Sequence, residues 1–332
     1  MTRTILALFV LAVAFAQSGY HQIKKINIGG EGGWDYLIAD GHGRVFVSHA
    51  AEVDVVDTQK GEVAGKITGL KGVHGIALAP EFNRGFISNG QGNNVTVFDL
   101  KTLAKIGDEV PAGTNPDAII YDPGSKRVFA LNGRSANATA IDAKTGKVDG
   151  TIAVGGRPEF AAADGKGHVY VNLEDKSSVV DIDSKTLTVA HTWPLEPCDG
   201  PSGMAMDTKT RRIFSGCEKM MSVLDADSGK VVTTMPICTG VDATAFDPGT
   251  GYIFHSCGDG TLSVIHEDSA AKFTKVEDVK TQRGARTMAL DPTTHNVYLS
   301  IAEYGAPQAP PGGGRARPSI VPGSFGLLEF GR

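Results

Sequence analysis

The sequence predicts an all-β fold, a seven-bladed β-propeller with four-stranded blades whose last blade is closed by the N-terminal strand. Three observations carry that expectation. An aromatic recurs at Phe46, Phe86, Phe129, Tyr170, Phe214, Phe254 and Tyr298, at separations of 40, 43, 41, 44, 40 and 44 residues. A period of this size with strand-like content belongs to propeller blades and not to a helical solenoid. Six or seven residues before each aromatic stands a turn pair: Asp40-Gly, Ala79-Pro, Asp122-Pro, Asp164-Gly, Asp207-Thr, Asp247-Pro and Asp291-Pro. These residue types close tight connections between strands. Finally, Gln22 to Ile28 reads as a strand placed before any first strand of blade one, so it is free to complete a sheet begun at the other end of the chain.

The N-terminus precedes the array. Arg3 supplies a positive start, Ile5 to Phe15 is an apolar core too short to span a bilayer, and Ala14-Phe15-Ala16 has the small residues a signal peptidase accepts. Residues 1 to 16 are therefore expected to be a cleaved signal peptide, with an uncleaved anchor or a buried first strand as the alternative. No other stretch is long and apolar enough to be transmembrane. Residues 17–332 are expected to form a single propeller domain, because the repeat runs through them without a break.

The charge balance excludes one class of function. The formal net charge is -5, and becomes -6 once Arg3 leaves. Lys24-Lys25 and Arg211-Arg212 are short pairs of solvated strand ends, and nothing resembles a basic footprint for nucleic acid.

One repeat can be read strand by strand. In the third, Ala118 to Tyr121, Arg127 to Leu131, Ala138 to Ile141 and Lys147 to Val154 are four short strands separated by turn residues. The third strands are expected to end at Asp57, Asp99, Asp142, Asp181 and Asp225, with His266 and Glu329 as their counterparts in blades six and seven. Sewing Gln22 to Ile28 onto the strands of Thr287 to Phe330 closes the ring and removes an exposed edge. A closed ring of this kind is expected to be a monomer. Within blade seven an insertion, residues 304–324, is rich in Pro and Gly and parts the second strand from the third. It reads as filler or as a lid presenting Arg315 or Arg317 to an anion.

The run Asn132-Gly, preceded by the strand Val128 to Leu131 and followed by Thr139 to Asp142, Gly146 and Gly155, resembles the YVTN repeat of YncE-like seven-bladed propellers. The resemblance covers residues 20 to 330. It departs where the usual Asn after the second strand is replaced by His49, Leu173, Cys217, Cys257 and Ile301. The Gly-His and Trp-Asp signatures of WD40 propellers are absent at blade spacing. The resemblance implies the fold and a secreted, periplasmic or extracellular location. It implies little about chemistry, since a fold does not determine a function.

The four cysteines fall into two pairs by repeat symmetry. Cys198 and Cys217 are 19 residues apart, as are Cys238 and Cys257, and each pair occupies the same two positions of its blade. Two disulfides, Cys198–Cys217 and Cys238–Cys257, are the expected pairing in an oxidising compartment. Four free thiols or a four-Cys zinc site are the alternatives, and the latter lacks the close Cys-x-x-Cys spacing of known zinc modules.

A ring of candidate site residues emerges from aligning the repeats. Five residues before each turn position, at the start of the innermost strand, stand Asp35, His74, Asp117, Glu159, Ser202, Asp242 and Arg286. Innermost strands surround the axial channel, so these side chains are expected at its mouth. Asp35, His74, Asp117, Glu159, Asp242 and Arg286 are the candidate ligand-binding residues. Converging carboxylates raise one another's pKa or recruit a cation. No cofactor is established by the sequence, but a divalent metal ion is one candidate, with His49, His74 and Asp35 as ligands. Arg286 suits a carboxylate or phosphate group. Polar channel linings also hold plain water, and strand-start Asp residues cap local backbone.

No Gly-x-Ser-x-Gly elbow, His-Glu-x-x-His helix or nucleophile–base pair is present. The preferred reading is therefore a secreted or periplasmic module that binds a small ligand or an extracytoplasmic protein through its polar face. The alternative is a metal-assisted lyase or hydrolase with its site at the channel mouth.

Overall fold

A computed structural model describes residues 19–308 and 317–332. The signal-peptide reading of residues 1–16 and the candidate Arg315 lie outside these, as does the side chain of Arg317. Seven four-stranded antiparallel sheets follow one another around a ring. Their innermost strands are Trp34–Ala39, Val73–Ala79, Pro116–Asp122, Pro158–Ala163, Pro201–Asp207, Val241–Asp247 and Met288–Asp291. The seven-bladed propeller expected from the repeat is what the chain forms.

The period has a packing origin. All seven repeating aromatics are essentially buried, with Phe46, Phe86, Phe129, Tyr170, Phe214 and Phe254 at 0% exposure and Tyr298 at 1%. Seven hydrophobic clusters fill the spaces between blades, and each draws on two neighbours. One joins Phe129 and Leu131 of blade three to Val169 and Val180 of blade four, and another joins Ile26, Tyr298 and Leu327 of blade seven to Leu37 and Val47 of blade one. No blade has a core of its own, so a repeat is stable only against its neighbours.

The turns use their Asp residues twice. Asp122 accepts the backbone N–H of Gly124 and Ser125, which caps the hairpin, and also the Ser184 hydroxyl from blade four. Asp247 does the same with Gly249 N–H and His295 Nδ1 of blade seven, and Asp164 with Lys166 N–H and Arg211 of blade five. In blade two the Ala79-Pro turn is a short 3-10 segment, Pro80–Phe82, ended by Asn83 at φ 53, a left-handed position that Asn tolerates.

Blade seven is split between the two termini. Its order is Met288–Asp291, Asn296–Ile301, Gly326–Gly331 and His21–Asn27, with His21 opposite Gly331 and Asn27 opposite Gly326. The insertion leaves between the second and third of these strands. Its described parts pair as a two-stranded hairpin, Tyr304–Gln308 with Arg317–Ile320.

Three expected strand ends shift, one of them at His266, which lies opposite Tyr252 inside the longer strand Thr261–Ser269. The residue that closes the third strand of blade four and caps its hairpin is Asp183, which accepts Lys185 and Thr186 N–H, and not Asp181. Asp181 lies buried two residues earlier and binds both His168 and His191. Alternating Asp residues at 181 and 183 made the register ambiguous by one pleat repeat. Glu329 likewise lies opposite Tyr298, inside its strand, where it accepts the Tyr298 hydroxyl.

Both cysteine pairs form disulfides, Cys198–Cys217 with Cα atoms 5.6 Å apart and Cys238–Cys257 with Cα atoms 5.9 Å apart. Each ties the loop leading into an innermost strand to the end of the second strand of the same blade.

Candidate functional site

Polar residues on the second strands help set the ring. In blade two Ser88 Oγ donates to the Asp117 carbonyl of blade three, in blade four Asn172 Nδ2 donates to the Ser202 carbonyl of blade five at 2.8 Å, and in blade six Ser256 Oγ donates to the Arg286 carbonyl of blade seven. Each even-numbered blade thus grips the strand start of the next. Register irregularities in the innermost strands, such as those between Trp34 and Leu37 and between Pro116 and Ile119, re-aim the side chains at this end.

Most of the ring meets in one cup. Asp35, Asp117, Glu159, Ser202, Asp242 and Arg286 line a cavity of about 250 Å³ together with Tyr36, Phe160, Arg157 and Glu174. Beside it His74 Nδ1 donates to Asp35 Oδ2 at 2.6 Å and lies 3.5 Å from Asp117 Oδ1. Across the ring the Arg286 guanidinium pairs with Asp242, whose carbonyl also accepts the Ser202 hydroxyl at 3.0 Å. Arg157 pairs with Glu174 and stands 3.6 Å from Glu159.

Tyr36 and Phe160 form the floor. Their rings belong to blades one and four and meet with centroids 4.6 Å apart, so the channel is crossed by an aromatic pair just below the charged groups.

The electrostatics follow from crowding acids in a partly desolvated space. Burial pushes Asp117 up to about 6, with Asp35 and Asp242 adding to the rise and His74 opposing it. Burial also pushes Glu159 up to about 7, reinforced by Asp117, Asp242 and Asp35 and opposed by Arg157. Asp242 is raised by burial against the pull of Arg286. The Asp35 hydrogen bond raises His74, so that imidazole holds its proton into a higher pH range. The Tyr36 phenol is held well above its usual range by burial and by the surrounding carboxylates.

The proposed metal set divides. Asp35, His74 and Asp117 bring ligand atoms within 4.8 Å of one another, but His49 belongs to a separate group with Glu52 and Asp54. His49 is 1% exposed, its Nδ1 donates to Asp54 Oδ2 at 3.0 Å, and its ring lies on Phe325 at 4.2 Å. Asn89 with Thr96 and Asn132 with Thr139 make the equivalent contact in blades two and three. His49 therefore does the structural work of the repeat's Asn. His255 is also a packing residue, fully buried, hydrogen-bonded to Thr244 Oγ1 at 3.0 Å and pushed down to about 3 by burial.

Four cup residues escaped the sequence reading. Arg157 and Glu174 sit outside the ring position, and Tyr36 and Phe160 follow it by one residue, where other blades carry Gly75, Ala118, Gly203, Ala243 and Thr287. Two bulky aromatics among small residues were the available signal. The insertion approaches the same face: Gly323 N–H donates to the Gly30 carbonyl at 3.0 Å, and the Trp34 ring lies tilted against Phe325 and Tyr304, with centroids 5.2 and 6.3 Å away.

The fold and this cup define a seven-bladed β-propeller with a charged pocket at one channel mouth. No family model matches the chain. It is 25% identical over 264 residues to Antigen Lp49 of Leptospira interrogans serogroup Icterohaemorrhagiae serovar copenhageni (strain Fiocruz L1-130), a match covering 68% of this chain and 53% of that protein. The chain thus spans about half the length of the curated relative it matches. Among solved structures it is similar to the Kuenenia stuttgartiensis hydrazine synthase, with a TM-score of 0.71 at 15% identity, covering 86% of this chain and 96% of that one. A chain of a mitotic checkpoint complex superposes with a TM-score of 0.74 at 14% identity, covering 90% and 96% respectively. At these identities the likeness is one of fold. Among the described residues no helix is long and apolar enough to cross a membrane.

Proposed function

We propose that this chain is an exported, monomeric propeller that binds a small ligand in the cup at the charged channel mouth. One observation carries the reading: side chains from separate blades converge on a single cavity of about 250 Å³ whose exposed lining is almost wholly polar and ionisable. Clefts in which ionisable groups with strongly perturbed pKa values converge are candidate functional sites. Asp35, His74, Asp117, Glu159, Asp242 and Arg286 are its proposed contacts. Two disulfides accord with an oxidising compartment, as would cleavage of residues 1 to 16 as a signal peptide. The resemblance to YncE-like propellers and the similarity to a protein named an antigen point the same way.

The test is a thermal-shift screen of amino acids, amines, sugars, carboxylates and nucleotides against the wild type, Asp117→Asn and Arg286→Ala. Compounds that raise the melting temperature of the wild type, and do so less in the variants, support the reading. If none does so, or if the shifts are equal in all three proteins, the cup is not a binding site.

A second reading rests on the approach of Asp35, His74 and Asp117. Carboxylate and imidazole groups at that spacing suit a divalent ion, which would serve a lyase or hydrolase as a Lewis acid. Metal analysis of the purified protein with His74→Ala and Asp35→Ala distinguishes the two readings.

A further inference from the structure

We propose that the ligand of the cup is a small organic ammonium ion, seated between Asp117 and Glu159 above the Tyr36–Phe160 stack. The inference rests on the binding reading above and specifies its chemistry. Counting partners locates the surplus charge. Asp35 is taken by His74, Asp242 by Arg286 and Glu174 by Arg157. Asp117 and Glu159 remain, on adjacent blades, with cations no nearer than 3.5 and 3.6 Å and no hydrogen bond to their carboxylates among the described residues. Two carboxylates that face a cavity without a donor call for a ligand that brings donors and positive charge.

Size argues for an organic cation over a bare metal ion. Glu159 and Asp242 lie outside the close group of Asp35, His74 and Asp117, so the four ring acids do not converge on one point. The cavity of about 250 Å³ has room for on the order of eight waters, far more than one ion needs. The exposed lining of the cup is almost wholly polar, so its carboxylates and the Tyr36 phenol, not a ring face, meet the ligand. The Tyr36 phenol faces the cup without a protein hydrogen-bond partner among the described residues. It is therefore free to serve the ligand. Arg157 and Arg286 stand at the wall, where they favour a ligand whose far end is uncharged or anionic.

The probes are n-butylamine, 1,4-diaminobutane, tetramethylammonium and calcium as chlorides, with sodium acetate as control, titrated calorimetrically into the intact protein at pH 8. Primary amines are expected to bind. Asp117→Asn and Glu159→Gln, which keep the size of the side chain, are expected each to weaken the amine at least tenfold, the usual cost of a lost charge-assisted contact. Binding is also expected to fade as pH drops through 7, because Glu159 gains a proton there. Folding of each variant is checked by its melting transition. Amine affinity that is absent in the folded wild type, or unchanged in both variants, overturns the inference, as does calcium binding that excludes amines. If amines fail while another compound binds in an Asp117-dependent way, the ammonium inference falls and the binding reading stands. If nothing binds at the cup, both fall.

Discussion

The two mouths of the channel are built from the same innermost strands and differ in almost everything else. At one mouth the strand starts carry Asp35, Asp117, Glu159, Asp242 and Arg286 around a charged cup. At the other, the penultimate residues Ile38, Met206, Phe246 and Leu290 join Leu37, Met288, Asp207 and Thr208 in lining a more apolar cavity of about 480 Å³. The Tyr36–Phe160 stack stands at the base of the cup. The difference shows where the repeat constrains the chain. Strand ends must reach an Asp turn that caps its own hairpin and in several blades also holds a neighbour, as Asp122 holds Ser184. Strand starts only have to be gripped through their backbone, as Asp117 is by Ser88, so their side chains are free to vary.

The most drastic way to break the comparison is to remove closure, on which both mouths depend. Deleting residues 322–332 strips the strand Gly326–Gly331 from between Asn296–Ile301 and His21–Asn27. Circular dichroism is expected to show no cooperative melting transition, and a truncated protein with an unchanged melting temperature would refute the split-blade role.

Next comes the staple that only the charged side possesses. Replacing Cys198 and Cys217, or Cys238 and Cys257, by Ser is expected to cost about 3 kcal/mol per bridge from the entropy of an unconstrained loop of this length. Chemical denaturation reads this as a lower midpoint with little change in slope.

A smaller effect probes the cup floor. Tyr36→Ala removes a half-buried ring and its partner contact, with an expected cost of about 2 kcal/mol. Phe160→Leu, which keeps bulk, is expected to lose less than 1.5 kcal/mol. Equal losses from the two would show that the stack itself carries no weight.

The smallest effect is titration of the cup. Asp117, raised from 3.8 to about 6, and Glu159, raised from 4.5 to about 7, bind protons more tightly folded than unfolded. Their contribution therefore grows as pH falls from about 7 toward 4, and is lost on the way back up. His74, raised from 6.5 by its Asp35 hydrogen bond, acts in the same direction: its stabilisation is full below 6.5 and lost as pH rises through the folded value. The melting temperature of the wild type is expected to rise on mild acidification more than that of an Asp117→Asn, Glu159→Gln double variant. Identical pH profiles would mean that the cup acids are solvated like ordinary surface groups. Glu267, on the opposite side of the molecule and also raised to about 6, persists in both proteins and so cancels in the comparison.

The blades were legible because each buried aromatic fills an interface between blades, and such a requirement repeats with the blade. The disulfides were legible for a related reason, since two copies of one geometry mark each other. Position alone also led to the ring from Asp35 to Arg286. What stayed hidden depends on closure. Nothing near Tyr36 in sequence says that Phe160 lies across the channel from it, and the pairing of Arg157 with Glu174 is equally non-local. His49 stands apart from Asp35 and His74 because its Nδ1 donates to Asp54, two residues beyond its own hairpin partner Glu52, and ring position alone does not reveal that separate group. At Asp181 and Asp183 a period of two offered two equal choices, and only the pairing of His168 with Asp183 decides between them.

The split seventh blade also sets a timetable. Because His21 pairs with Gly331, the first strand of the propeller waits for its last to arrive. Every partial chain has an unzipped sheet and two unfilled blade interfaces, those of Tyr298 with Ile26 and of Phe330 with Tyr20. Native assembly is thereby a single late event with a very long loop to close, slow by the rule that distant contacts delay folding. The ring closes only once both ends of the propeller are in place.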